Sequence, residues 1–142
     1  MSFDLSSVDT VAACNKGTEI ELKHPVTNEP TGVFWGILGR DSDAYREYFR
    51  ELANARIRKE VVARKRGKDV EVETVEVAEA KAIELLVACS TGWRSEDKPT
   101  LTFKGSELEF NVVNAKAVLE ALPWVKRQIE DGIDDLENFM KS

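Results

Sequence analysis

The spacing of apolar residues along the chain changes several times, and each change marks an element. Val8, Val11, Ala12 and Cys14 recur at helical spacing between Ser7, a residue suited to a helix start, and Gly17, a residue suited to a stop, which predicts a short helix. Glu19, Ile20, Glu21 and Leu22 then alternate charged with apolar, and residues 33–38 form a continuous apolar run. The turn formers packed into 24–32 make these two runs a β-hairpin with a long loop. Asp41 or Ser42 is placed to cap the next element, with Asp43 favourable in its first turn, and Tyr45, Tyr48, Phe49, Leu52, Ala53 and Ile57 keep helical spacing. A long helix to about Gly67 is expected. From Val70 the Val/Glu alternation would suit a strand, but Val75, Ala78, Ala82, Leu86 and Cys89 share one helical stripe in an alanine-rich stretch. Helix from about Val75 to near Gly92 is the preferred reading.

The polar, turn-rich stretch that follows Trp93 reads equally as a loop or as a second short hairpin, with Leu101 and Phe103 mirrored by Leu108 and Phe110 across Lys104, Gly105 and Ser106. Asn111 is placed to cap a short helix through Val113, Ala117, Val118 and Leu122, which Pro123 ends. Pro123 also suits the first turn of a final helix running through Val125, Ile129, Ile133, Leu136 and Met140, weakened locally by Gly132. The pattern predicts an α+β, mainly α, fold: an N-terminal β-hairpin followed by a bundle of about three to five helices. At 142 residues this is a single domain, 1–142, divided into a short helix plus hairpin (1–40), two helices (41–92), a loop or short hairpin (93–111) and C-terminal helices (112–142).

Composition narrows the function classes. With 42% hydrophobic and 32% charged residues and no apolar run near the ~20 residues that span a bilayer, the expected protein is globular and not membrane-bound. The opening residues, Met-Ser-Phe-Asp-Leu, lack the pattern of a secretory signal, so Cys14 and Cys89, each beside alanine, are expected as reduced and buried. The one histidine, His24, precedes Pro25 in the hairpin loop and reads as a turn residue, and no metal-ligand spacing accompanies it. Glycines occur singly and form no phosphate-cradling loop, so no cofactor is expected. Glu130, Asp131, Asp134, Asp135 and Glu137 spread around a helix as a solvated face would. These readings converge on a protein that is not an enzyme.

The net charge of −6 argues mildly against nucleic-acid binding by the whole molecule, yet half of the 20 basic residues fall within 40–68. Arg46, Arg50, Arg56, Arg58, Lys59, Arg64, Lys65 and Arg66 lie there, followed by Glu71, Glu73, Glu76 and Glu79. Two oppositely charged stretches can pair within the chain or between copies, or dock a charged partner, and self-association of the chain is expected. No aromatic follows Phe49 among the arginines, which weakens a nucleic-acid reading. The residues singled out as partner-binding are Tyr45, Tyr48, Phe49, Leu52, Arg58, Lys59, Arg64 and Lys65. Of the three tryptophans, Trp93 and Trp124 are the pair expected to hold the last helix to the preceding one.

Particular strings carry more than composition. Residues 25–32 read P-V-T-N-E-P-T-G, residues 38–43 read L-G-R-D-S-D ahead of the long helix, Gly92-Trp93 follows, Pro123-Trp124 opens the last helix, and Asn138-Phe139 lies near the end. In this order and spacing the chain resembles the tail assembly chaperones of long-tailed, siphovirus-type bacteriophages. The resemblance implies a non-enzymatic role in virion morphogenesis, in the host bacterial cytoplasm. Such chaperones bind the tape measure protein, keep its long helical chain soluble, recruit the major tail protein around it, and are absent from the mature virion. In many such phages a longer form also arises by ribosomal frameshifting. Two other readings stand beside it: a structural tail or head-tail connector protein that stays in the virion, and a nucleic-acid-binding regulator using the basic helix.

Overall fold

The computed structural model describes residues 2–69 and 73–140. A single 3-10 turn, Leu5–Ser7, precedes α1 (Thr10–Lys16), whose N-cap is Asp9 rather than Ser7: its carboxylate accepts from the Ala12 N–H at 2.9 Å. Strands β1 (Thr18–Lys23) and β2 (Pro30–Ile37) form the expected hairpin, with Ile20 opposite Trp35. His24 organises its turn, its Nδ1 accepting from the backbone N–H groups of Val26 (3.1 Å) and Thr27 (3.2 Å).

The long helix α2 is Asp43–Lys65, and α3 is Val75–Ala88, where the helical stripe placed it. The helix does not reach Gly92. Residues Ser90–Ser95 instead form β3, which pairs antiparallel with β2 and makes a three-stranded sheet of order β1-β2-β3. Trp93 thereby lies opposite Trp35, and the two rings meet edge to face at 5.0 Å. Trp93 is thus paired with Trp35, not with Trp124. Both indoles are buried with their N–H groups satisfied, Trp35 donating to Ser90 Oγ at 2.9 Å and Trp93 to the Leu108 carbonyl at 3.0 Å.

The second hairpin forms. Strands β4 (Leu101–Phe103) and β5 (Ser106–Leu108) pair Leu101 with Leu108 and Phe103 with Ser106. Its turn is the two residues Lys104 and Gly105, both at positive φ (52° and 77°), the backbone that a tight hairpin with right-twisted strands requires. Helix α4 (Val112–Ala121) starts at the Asn111 cap, whose side chain accepts from the Asn114 N–H at 2.8 Å. Helix α5 is Pro123–Asp134, and a break at Asp135 separates it from the short α6 (Glu137–Met140). The last helix is therefore two, interrupted at Asp135 and not at Gly132. Asp135 stands at φ −90°, ψ 100° and its carboxylate accepts from the Glu137 N–H at 3.0 Å, and Leu136 turns outward.

One face of the sheet and the helices α1, α3, α4, α5 and α6 enclose the core, centred on Trp35, Ile37, Leu119, Ile129 and Ile133. Gly132 lets α5 close on the sheet: a Cβ there would stand 3.0 Å from Ile20 Cδ1 and 3.1 Å from Ile37 Cδ1. Gln128 of α5 grips the β1 edge, accepting from the Lys23 N–H (2.9 Å) and donating to its carbonyl (2.8 Å). The opposite face carries Glu19, Glu21 and Arg94 around a half-buried Phe34, with Arg94 over the Phe34 ring at 4.1 Å and paired with Glu19 at 3.0 Å. Among the described residues, no helix is long and apolar enough to cross a membrane.

Candidate partner-binding surface

The sequence-predicted surface lies on α2, and its physical character differs between root and tip. At the root, Ser42 is fully buried and is the cap, its Oγ accepting from the Tyr45 N–H at 3.2 Å. The Asp43 N–H donates to Asn15 Oδ1 (2.8 Å) and Asn15 Nδ2 donates back to the Asp43 carboxylate (3.2 Å), which ties α2 to α1. Arg46 pairs with Asp43 at 3.0 Å across one turn. These bonds fix where the helix leaves the body.

Further along, α2 packs on α3. Tyr45 is half-buried against the core, and burial, with Asp134 second, raises its phenol pKa. Tyr48 Oη lies 2.9 Å from Glu84 Oε2 and 3.0 Å from the Lys81 carbonyl, two acceptors sharing one proton. Burial and then the Glu84 carboxylate push that phenol up to about 12. Leu52, also half-buried, continues this inward row. Phe49 does not join it. It is 48% exposed, stacks obliquely on Tyr45 at 5.1 Å, and borders a shallow cleft of about 370 Å³ lined by Arg40, Asp41, Tyr45, Arg46 and itself.

Thus, of the four residues of this row predicted as partner-binding, Tyr45 and Tyr48 hold α2 in place, Leu52 is half-buried, and Phe49 faces out. The four predicted cations, Arg58, Lys59, Arg64 and Lys65, are all exposed, and none forms an ion pair with a described residue. Arg56 reaches only Glu60 of its own helix, at 3.5 Å. Of the glutamates read as their possible partners, Glu73 pairs with Lys81 at 3.0 Å, Glu76 and Glu79 are exposed without an ion pair to a described residue, and Glu71 lies outside the described residues. Among the described residues no ion pair joins the basic part of α2 to α3.

The structure adds exposed apolar residues that the sequence reading did not single out as partner-binding. No residue of α2 is buried over its 23 positions, a length of about 35 Å. Phe49, Ala53, Ile57 and Val61 recur every four residues and are all exposed, in a row that starts beside Tyr45 at Phe49 and winds away from the side of Tyr45, Tyr48 and Leu52, until Ile57 and Val61 lie more than a right angle from it. Ile57 is 56% and Val75 of α3 is 70% exposed: the described residues leave most of each side chain uncovered. The available signal was the company they keep: Arg56, Arg58, Lys59 and Arg64 interleave with Ile57, Val61 and Val62, a density of cations that a core-facing stripe does not carry.

The remaining candidates have structural roles. Cys14 and Cys89 are buried free thiols, and burial raises both, Cys89 to about 11, which leaves little thiolate at neutral pH. Among the described residues, no group of three His, Cys, Asp or Glu is arranged to hold a metal ion. No protein-family model, curated protein or solved structure matches this chain.

Proposed function

We propose that this chain is a non-enzymatic tail assembly chaperone of a long-tailed bacteriophage. It acts in the host bacterial cytoplasm, binds the tape measure protein, keeps it soluble, recruits the major tail protein, and leaves before the virion is complete. The sequence resemblance motivates the reading, and the observation that carries it is the bare end of the α2–α3 pair. An exposed apolar row, Phe49, Ala53, Ile57 and Val61, runs out along α2 from its root, and toward that end it is bordered by Arg58, Arg64 and Lys65, which form no ion pair with a described residue. A client that is a long helix with apolar stripes needs an elongated apolar partner while its own are covered. Exposed ion pairs contribute only about 0.2 to 1 kcal/mol each, so charge at the margins selects the client without preventing release.

The test is co-expression with the tape measure protein of the same genome. The expected result is a soluble, stoichiometric complex, lost when Arg58, Lys59, Arg64 and Lys65 are reversed to glutamate in a chain that still folds. A tape measure protein that stays insoluble and unbound beside a well-folded chain contradicts the reading. Recovery of the chain from purified particles would then favour the connector. The density of cations within 56–68 supports one further reading, a nucleic-acid-binding regulator, which demands an affinity for nucleic acid that falls steeply with salt as counterions are released.

A further inference from the structure

The far end of the helix pair carries exposed charge of both signs, separated by helix. On α2 the cations Arg58, Lys59, Arg64 and Lys65 flank the exposed Val61 and Val62. On the first two turns of α3 the exposed Glu76 and Glu79 flank Val75 and Val77, which are 70% and 45% exposed. Within the chain, among the described residues, neither set pairs with the other. Apart from Glu60, which pairs with Arg56, the apolar strip on α2 is bordered by cations and that on the start of α3 by carboxylates, and the matching strip of opposite sign is present in every copy of the same chain.

A two-fold contact between identical chains brings one surface against itself, so the surface must be its own complement. A uniformly basic helix fails that condition, because like charges meet across the axis. This pair meets it, since the basic C-terminal end of α2 and the acidic N-terminal end of α3 are the two helix ends that residues 66–74 connect. We propose that two copies of this chain associate through these ends, side by side about a two-fold axis. The basic end of each α2 then lies on the acidic start of the other chain's α3. The contact covers Ile57, Val61, Val75 and Val77, whose burial supplies the main gain, while the crossed charges set the register.

The proposal needs no client and stands or falls independently of the tape measure reading, because the chain alone is measured. Sedimentation velocity of the full chain over a concentration series is expected to show a monomer–dimer equilibrium that shifts toward monomer between low salt and 0.5 M NaCl, since exposed charges are screened. Two variants isolate the surface. Reversal of Arg58, Lys59, Arg64 and Lys65 to glutamate makes both helix ends acidic, and Glu76→Lys with Glu79→Lys makes both basic. Each alone is expected to weaken dimerisation at least tenfold, and their mixture to restore a heterodimer. A wild-type chain that stays monomeric, or variants that dimerise as the wild type does, overturns the proposal, as does a mixture that does not associate although circular dichroism shows both chains helical. Should a variant not fold, carbodiimide cross-linking of a mixture of light and isotope-labelled wild-type chains replaces it. Mixed-isotope links from Lys59 or Lys65 to Glu76 or Glu79 are expected, and their absence counts against the contact.

Discussion

The two ends of this molecule use hydrophobic residues in opposite ways. In the body, Trp35, Ile37, Ile129 and Ile133 are at most 1% exposed and every tryptophan N–H in that core has an acceptor. At the far end of the α2–α3 pair, Ile57, Val61, Val62, Val75 and Val77 keep between 42% and 70% of their surface. The helical period is the same in both places. What differs is whether a second element arrives to cover the stripe, and that is a property of tertiary structure. The body therefore holds most of the folding free energy, whereas the far end holds apolar area and charge that the described residues leave exposed.

Substitutions sharpen this contrast in descending order of effect. Trp35→Ala empties the centre of the sheet and its contact with Trp93, and is expected to cost about 3 to 5 kcal/mol in equilibrium denaturant unfolding. Ser42→Ala removes a buried cap at the root of α2 and is expected to cost about 1 kcal/mol, read in the same way. Ile57→Ala and Val61→Ala change large aliphatic residues by as much volume as a core substitution does, yet stability at monomeric concentration is expected to stay within about 0.5 kcal/mol of the parent. A loss as large as that expected for Trp35→Ala would show that the far end is packed within the chain and would erase the contrast.

Alkaline pH gives a finer test of the root. Tyr48 stands at about 12 in the folded chain against about 10 for an unfolded tyrosine, so between these values the folded state binds more protons than the unfolded one. Its contribution to stability is complete below pH 10 and is lost as pH rises through 12. Tyr48→Phe is expected to flatten part of the fall in melting temperature across that window. An unchanged slope would mean that the phenol is not held between Glu84 and the Lys81 carbonyl.

Local chemistry made much of the fold legible. Asn111 as a cap, Pro123 at a helix start, the turn formers of 24–32 and the stripe from Val75 to Cys89 each act over a few residues, and each stands where its chemistry puts it. The third strand was not legible. Residues Ser90–Ser95 hold one large apolar side chain, Trp93, and become a strand because β2 presents an open edge and Trp35 a surface to pack on, a long-range effect with no local signature. The break at Asp135 escaped for a related reason: apolar spacing continues through Leu136 and Met140, but the side chain of Asp135 caps a new turn instead. For the candidate surface, the cations were legible as charge that no core position carries. Which of Tyr45, Tyr48, Phe49 and Leu52 faced outward depended on where α3 lies, and only Phe49 does.

The proposed division between a body that folds and a helix pair that binds a partner is tested most directly by hydrogen exchange of the chain, free and with the tape measure protein co-expressed. At a concentration that keeps the free chain monomeric, slow exchange is expected in β2 and α5 and fast exchange in the second half of α2 and the first turns of α3. In the complex, protection should rise over 49–65 and 73–80 and change little in the sheet. Protection that rises only in the body, with the far end of the helix pair still exchanging freely, would contradict the assignment of that end as the partner-binding surface.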